Sequence, residues 1–119
     1  MCGIYLTNIP ISEKEVALKL NKIRFRGPDH LGIIQKENIS LGHLRLSILD
    51  LDERSNQPFV FDYLTLVYNG EIYNFKEVKE TLIDKGYSFE TTGDTEVLIK
   101  GYHAWGEKIL DRINGMFAF

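Results

Sequence analysis

The 119-residue sequence lacks several features that would point to particular classes of protein. It has a single cysteine, which cannot form an internal disulfide, so a reducing compartment is favoured. Its apolar runs fall far short of the roughly 20 residues that cross a bilayer. Its N-terminus lacks the basic start and apolar stretch of a secretory signal. We therefore expect a cytoplasmic protein that does not span a membrane.

A strong net charge and a pattern of metal ligands are also missing. The net charge is −3 and no basic cluster is present, which gives no reason to expect nucleic-acid binding. The three histidines and the single cysteine show no metal-ligand spacing, so we expect no metal site. What is present, 44% hydrophobic and 26% charged residues, is ordinary for a folded globular protein.

Strand and helix patterns alternate along the chain without a linker or repeat, which indicates one domain over residues 1–119. Ser12 and Glu15 form a capping box ahead of a helix. Two further helices are predicted to begin with Asn74 and Asp94 as N-caps. The apolar patterns predict strands at 2–7, 63–68 and 116–119, a hairpin of 31–35 with 39–46, and a helical turn at 107–113.

Cys2 is the most informative residue because of its position. Removal of Met1 would leave Cys2 with a free α-amine, whose ordinary pKa of about 7.7–8.0 suits a general base for its own thiol. The alternatives are a buried cysteine packed as a small hydrophobe and a Cys–His site. No local pattern ties any of the three histidines to Cys2.

Asn69-Gly70 has two interpretations. Asn-Gly is the commonest sharp-turn dipeptide between strands. The Asn69 amide and the Gly70 backbone N–H could instead converge as the two donors that a tetrahedral oxyanion needs.

Arg45 and Asp94 also have two interpretations each. Arg45 is either a solvated charge on a strand or a planar fork that binds a carboxylate. Asp94 either caps a helix or faces a substrate ammonium. The functional interpretations together describe a site for a free α-amino acid.

Taken together, the motifs resemble the glutaminase domain of glutamine-dependent asparagine synthetase from the first residue to the last. Arg-Gly-Pro-Asp and Arg-Leu-Ser-Ile favour this branch over the amidotransferases of purine or glucosamine synthesis. Leu6 and Phe25 depart from the family, which often has glycine and histidine there. The segments that carry the resemblance are Met1 to Ile4, Arg26 to Asp29, His43 to Asp50, Asn56 to Pro58, Asn69 to Asn74, Gly93 to Val97 and Gly115 to Phe119.

The resemblance implies an α+β fold of the N-terminal nucleophile hydrolase type, a four-layer αββα sandwich of antiparallel sheets. It also implies that the Cys2 thiolate attacks the glutamine carboxamide while Asn69 and Gly70 hold the oxyanion. Arg45 would bind the substrate carboxylate and Asp94 its ammonium. The remaining pocket residues would be Leu46, Ser47, Ile48, Leu49 and Glu71.

The partners implied by the resemblance are L-glutamine and a C-terminal synthetase domain that uses ATP and Mg to make asparagine from aspartate and ammonia. No phosphate loop of that domain occurs here, so we expect no cofactor in this chain. Because the family's domain is longer, we expect this chain to be incomplete at its C-terminal end. Alone it should be poorly soluble or loosely packed, with little activity. A homodimer is left open.

Three other functions also stay open. The chain could be a non-catalytic glutamine-binding or regulatory domain, which retention of Met1 would favour. It could be an inactive fragment. Alternatively, the ammonia could go to a sugar or peptide acceptor at the cell surface, as in some relatives of this family.

Overall fold

The computed structural model describes all residues from Met1 to Phe119, and it combines helices with antiparallel strands, as predicted. The strands are β1 (Gly3–Thr7), β2 (His30–Lys36), β3 (Ile39–Arg45), β4 (Phe59–Phe61), β5 (Leu64–Leu66), β6 (Asn69–Ile72) and β7 (Gly115–Ala118). The helices are α1 (Glu13–Asn21), α2 (Phe75–Asp84) and α3 (Asp94–Trp105), and 3₁₀ turns span Arg24–Arg26, Glu53–Ser55 and Gly106–Asp111. None of the helices is long and apolar enough to cross a bilayer.

The first sheet has the order β1-β3-β2 and forms where the sequence predicts it. β2 and β3 make the expected hairpin, with Glu37 in the left-handed region at a φ of 51°. β1 pairs with the other edge of β3, where Gly3 lies opposite Leu44. This pairing places Cys2, just before β1, beside the chain that leaves the end of β3.

Helix α1 begins with the predicted capping box. The Glu15 N–H donates to Ser12 Oγ at 3.2 Å, and the Ser12 N–H donates to Glu15 Oε2 at 2.8 Å. Val16 and Leu20 on its inner face pack with Leu44 to form a small core beneath the first sheet. A larger core joins α2 and α3 to β5 and β6. Its buried members are Leu66, Tyr68, Ile72, Val78, Leu82, Val97, Leu98, Ile99 and Ile109.

The strand expected over 63–68 is shorter than predicted, because only Leu64–Leu66 joins a ladder, with β4. The Tyr68 backbone bonds to side chains instead: its N–H donates to Gln57 Oε1 and its carbonyl contacts His43 Nε2. The seven strands form three separate sheets rather than two. The four-layer sandwich implied by the resemblance stays a prediction.

Asn69-Gly70 does not form a turn, because both residues lie in β6, paired antiparallel with β7. The predicted strand at 116–119 supplies that partner, since β7 runs from Gly115 to Ala118. The turn interpretation of this dipeptide is therefore wrong.

Asn74 occupies the predicted N-cap position of α2 without a capping bond, and the predicted N-cap at Asp94 is wrong. The Asn74 side chain makes no capping bond to α2, because its amide bridges the Arg112 carbonyl and the Asn114 N–H. Asp94 is the first residue of α3, preceded by Gly93 at the N-cap position, and its carboxylate binds other elements. Both side chains connect distant segments that a local pattern does not reveal.

Candidate active site

A cavity of about 160 Å³ lies where the chain after β3, strand β6 and the start of α3 meet. Every site residue predicted from the sequence lines it, except Ser47. Those residues are Cys2, Arg45, Leu46, Ile48, Leu49, Asn69, Gly70, Glu71 and Asp94. Ser47 contributes no side chain to the lining, and its backbone N–H donates to Asp29 Oδ2 at 2.7 Å.

Cys2 is a free, half-buried cysteine at one end of this cavity. Its Sγ lies 3.4 Å from the Leu46 backbone N and 3.7 Å from the Leu46 carbonyl oxygen. Its own carbonyl accepts a hydrogen bond from Arg26 Nε at 3.0 Å. Cys2 is therefore anchored through its backbone, while the thiol has only weak contacts. None of the three histidines bonds to this thiol.

The Arg26-to-Asp29 motif, which local chemistry assigns only to a turn, has a structural role at the site. Arg26 holds the Cys2 carbonyl, and Asp29 holds the Ser47 N–H. The Asp29 N–H also donates to the Arg45 carbonyl at 3.0 Å. The turn thus joins the chain before β1 to the chain after β3, contacts that sequence reasoning missed.

Strand β6 directs the Gly70 N–H away from β7. N–H groups alternate in direction along an antiparallel ladder. Tyr73 donates to the Asn114 carbonyl at 2.7 Å, whereas Ile72 donates to Asp94 Oδ2 on the opposite side at 3.0 Å. By the same alternation, Gly70 shares the orientation of Ile72. A Cβ at Gly70 would lie 2.3 Å from the Met116 carbonyl oxygen, so only glycine fits here.

The Asn69 side-chain oxygen, Oδ1, is shielded from solvent and has no hydrogen-bond partner in the protein. The nitrogen of the same carboxamide carries two N–H donors. Buried polar groups of native proteins are nearly always paired, so an unpaired carboxamide in a cavity wall is an exception that a ligand can explain. The Asn69 amide and the Gly70 N–H are therefore two polar groups available to a bound molecule.

Arg45 is 6% exposed, which excludes the solvated-charge interpretation. Its guanidinium has no acidic partner within salt-bridge distance. The terminal nitrogens donate to neutral oxygens instead, namely the carbonyls of Leu49, Asp50 and Asp52 and Oδ1 of Asn56. A buried cation without a counter-ion is costly and favours binding of an anion. To bind a carboxylate through two hydrogen bonds, as expected, the guanidinium would have to give up some of its bonds to these oxygens.

Asp94 is also almost buried, and its carboxylate has one occupied oxygen. Oδ2 accepts hydrogen bonds from the Tyr68 hydroxyl at 2.7 Å and from the Ile72 N–H, while Oδ1 has no protein donor. Burial, together with the hydrogen bond to Asp94, raises the pKa of Tyr68 well above its usual range. Tyr68 therefore stays a neutral donor that holds Asp94 in place.

Behind the cavity, two buried side chains clamp the backbone that precedes Asn69. His43 Nε2 donates to the Tyr68 carbonyl at 3.1 Å, and Gln57 Oε1 accepts the Tyr68 N–H at 2.6 Å. Burial lowers the pKa of His43 from 6.5 to about 4, although its bond to Tyr68 opposes that shift. His43 is consequently neutral at pH 7. Both residues lie in the motifs noted above, but nothing in their spacing indicates this contact.

No group of three or more histidine, cysteine or acidic side chains is arranged to hold a metal ion. The cavity instead collects a thiol, two backbone or amide donors, one buried cation and one buried carboxylate. This donor set suits a zwitterionic organic ligand with a polar group near the thiol.

Known proteins with similar sequences act on glutamine, according to their names. The family described as "Glutamine amidotransferase domain" matches residues 1–119. Asparagine synthetase [glutamine-hydrolyzing] 1 of Bacillus subtilis is 41% identical over 90% of this chain and 17% of its own length. The corresponding protein 3 of the same organism is 40% identical over 100% of this chain and 21% of its own length. Asparagine synthetase 2 of rice is 36% identical over 100% and 21%.

The chain spans about a fifth of the length of these curated relatives. The family match nevertheless covers every residue, including those that line the cavity. On this match and these identities, the chain belongs to the glutamine amidotransferase domain family, in its asparagine synthetase branch.

Proposed function

We propose that this chain hydrolyses glutamine to glutamate and ammonia with Cys2 as its nucleophile. The observation that carries the proposal is the meeting, in one cavity, of the Cys2 thiol with the unpartnered Asn69 amide and the Gly70 N–H. A nucleophile beside two convergent donors is the arrangement that acyl transfer needs.

In the proposed reaction, the Cys2 sulfur forms a bond to the side-chain carbonyl carbon of glutamine. Once Met1 is removed, the Cys2 α-amine takes the thiol proton and passes it to the leaving nitrogen, so that ammonia departs. The Asn69 amide and the Gly70 N–H donate to the oxyanion of the tetrahedral intermediate. Water then attacks the thioester, which releases glutamate and restores the thiol.

The other end of the cavity would recognise the amino-acid part of glutamine. We assign the α-carboxylate to Arg45, which is buried without a counter-ion, and the α-ammonium to the free Oδ1 of Asp94. Leu46, Ile48 and Leu49 supply the apolar wall beside the substrate's methylene groups.

The wider role follows from the relatives' names and is part of the same proposal. The ammonia would serve ATP-dependent synthesis of asparagine from aspartate in a synthetase domain, which would also bind the ATP and Mg. The fold would be an N-terminal nucleophile hydrolase, and the site of action the cytoplasm. A homodimer remains an open assembly.

The decisive experiment measures ammonia and glutamate release by the full-length protein and by its Cys2→Ala variant. The variant should lose glutamine hydrolysis and keep glutamine binding in calorimetry, because the recognising charges lie elsewhere in the cavity. An intact mass without Met1 should accompany activity. Unchanged hydrolysis by Cys2→Ala would refute the mechanism, whereas binding without hydrolysis in the wild type would favour a regulatory glutamine-binding domain.

A further inference from the structure

The loop of residues 49–56 is built around the Arg45 guanidinium. All protein acceptors of that guanidinium belong to this loop, so its conformation and the position of the buried charge depend on each other. The loop is otherwise a surface segment, with Leu51 and Glu53 exposed. Besides these bonds to Arg45, the loop has a contact to the 92–94 turn on another part of the cavity wall.

Asp50 makes that connection with two different groups. Its backbone carbonyl accepts from Arg45 Nη2. Its Oδ2 accepts the Thr92 N–H at 2.8 Å, across 42 residues of chain. Thr92 leads through Gly93 directly to Asp94. Asp50 thus belongs to the loop that surrounds the Arg45 guanidinium, and its side chain bonds to the turn that leads to the Asp94 carboxylate.

The state of Asp50 is unusual for a loop acid. Its φ is 46°, a left-handed conformation that costs energy for any residue with a side chain. Its side chain is 4% exposed. Burial opposes ionisation, but the hydrogen bonds that the carboxylate accepts, first of all from the Thr92 N–H and then from the Asp52 N–H, outweigh it together with the charge of Arg54 and lower the pKa of Asp50 to about 2. Asp50 is consequently a charged acceptor at neutral pH.

The Arg54 contact is a minor part of this arrangement. Arg54 Nε lies 3.4 Å from Asp50 Oδ2, but the Arg54 side chain is half exposed, and exposed ion pairs contribute little. The Asp52 N–H also donates to Asp50 Oδ1 at 3.3 Å, but Asp52 belongs to the same loop. The Thr92 bond is therefore the hydrogen bond that ties the carboxylate to another segment.

We propose that Asp50 is a positioning residue that clamps the 49–56 loop to the 92–94 turn and so sets the spacing between Arg45 and Asp94. The inference rests on the proposed glutamine site and adds a determinant of its selectivity for free α-amino acids. Asp50 touches no substrate itself. It acts through Arg45 on one side and the Thr92 backbone on the other.

The test compares three variants in the full-length protein. Asp50→Gly accepts the left-handed backbone but removes the carboxylate, and Asp50→Asn keeps an oxygen that can accept the Thr92 N–H. Glu53→Gln is the matched control, because it removes one charge from the same loop at an exposed side chain without hydrogen bonds. We expect Asp50→Gly to raise KM and Kd for glutamine roughly 10-fold or more, with kcat much less affected. Asp50→Asn should recover most of this loss.

Selectivity provides a readout that a purely structural role would not move. Glutaramate has the amide and the terminal carboxylate of glutamine but lacks the α-ammonium. The wild type should prefer glutamine strongly, and Asp50→Gly should narrow that preference while Glu53→Gln retains it. Unchanged KM and preference in Asp50→Gly, or a loss confined to kcat, would overturn the proposal.

Hydrogen exchange separates the clamp from the glutamine chemistry. The Thr92 amide should exchange faster in Asp50→Gly than in Glu53→Gln, whether or not the protein hydrolyses glutamine. If the wild type neither binds nor hydrolyses glutamine, the proposed function fails while faster exchange would still support the clamp. Equal exchange in both variants would refute the clamp, even in an active enzyme.

Discussion

The two ends of the cavity differ in how their polar groups are satisfied. At the nucleophile end, formed by Cys2, Asn69 and Gly70, the reactive groups have few or no protein partners. At the amino-acid end, formed by Arg45 and Asp94, each charged group is held by several hydrogen bonds. Substitutions at the first end should therefore alter chemistry with little effect on stability, whereas substitutions at the second should alter binding and stability together.

Asn69→Ala should have the largest effect on turnover after loss of Cys2. Removing one oxyanion donor lowers kcat by about 10²–10³-fold, and KM should change little because the donor is needed most in the transition state. The melting temperature should be nearly unchanged, since the amide has no protein partner. Asn38→Ala, in the exposed hairpin turn, is the control. A rise in KM alone would make Asn69 a binding residue.

Arg45→Ala, at the amino-acid end of the cavity, should weaken glutamine binding and lower stability together. Hydrogen bonds to charged groups are worth about 1.5–3 kcal/mol, so glutamine affinity should fall by roughly 10–100-fold. The melting temperature should fall as well, because the 49–56 loop loses its hydrogen bonds to the guanidinium. Calorimetry and thermal unfolding measure the two effects, with Lys14→Ala, at an exposed cation on α1, as the control. If Arg45→Ala weakened glutamine binding without lowering the melting temperature, the proposed difference between the two ends of the cavity would be wrong.

The effect expected at His43 is the smallest, because its titration should hardly change the stability of the folded protein at neutral pH, and it should lower that stability clearly in acid. Its pKa is about 4 in the folded protein and near 6.5 when unfolded, so below pH 6.5 only the unfolded state gains the proton. Its contribution to stability is complete above pH 6.5 and is lost as the pH falls to about 4, by up to roughly 3 kcal/mol.

Thermal unfolding between pH 7 and pH 4 tests this expectation against His43→Gln, which carries no titrating group. The variant should lose less stability than the wild type across this window. Equal slopes for the two proteins would show that His43 is not the group that titrates. The carboxyl of Asp50, with its lowered pKa, should add a separate loss at still lower pH.

Local patterns predicted the strands of the first sheet and the α1 cap, whereas the family resemblance was needed to predict nine of the sixteen residues that line the cavity. They succeeded where neighbours in sequence are neighbours in space, as for Ser12 and Glu15. They failed at Asp94, whose acceptor oxygen binds Tyr68 and Ile72 rather than its own helix. Such contacts depend on tertiary packing, which no single-sequence spacing encodes.

The β6–β7 ladder has a consequence of parity. Along a strand, alternate N–H groups face the partner strand and the opposite side. If β7 slipped by one residue, the two sets of its own N–H groups would be exchanged. Asn74 ties the start of this ladder by bonding to both Arg112 and Asn114. An insertion or deletion in the short turn before β7 would therefore exchange the two sides of β7 and disrupt its hydrogen bonds to β6, the strand that carries Gly70. A residue outside the cavity thus supports the strand whose peptide group is presented there.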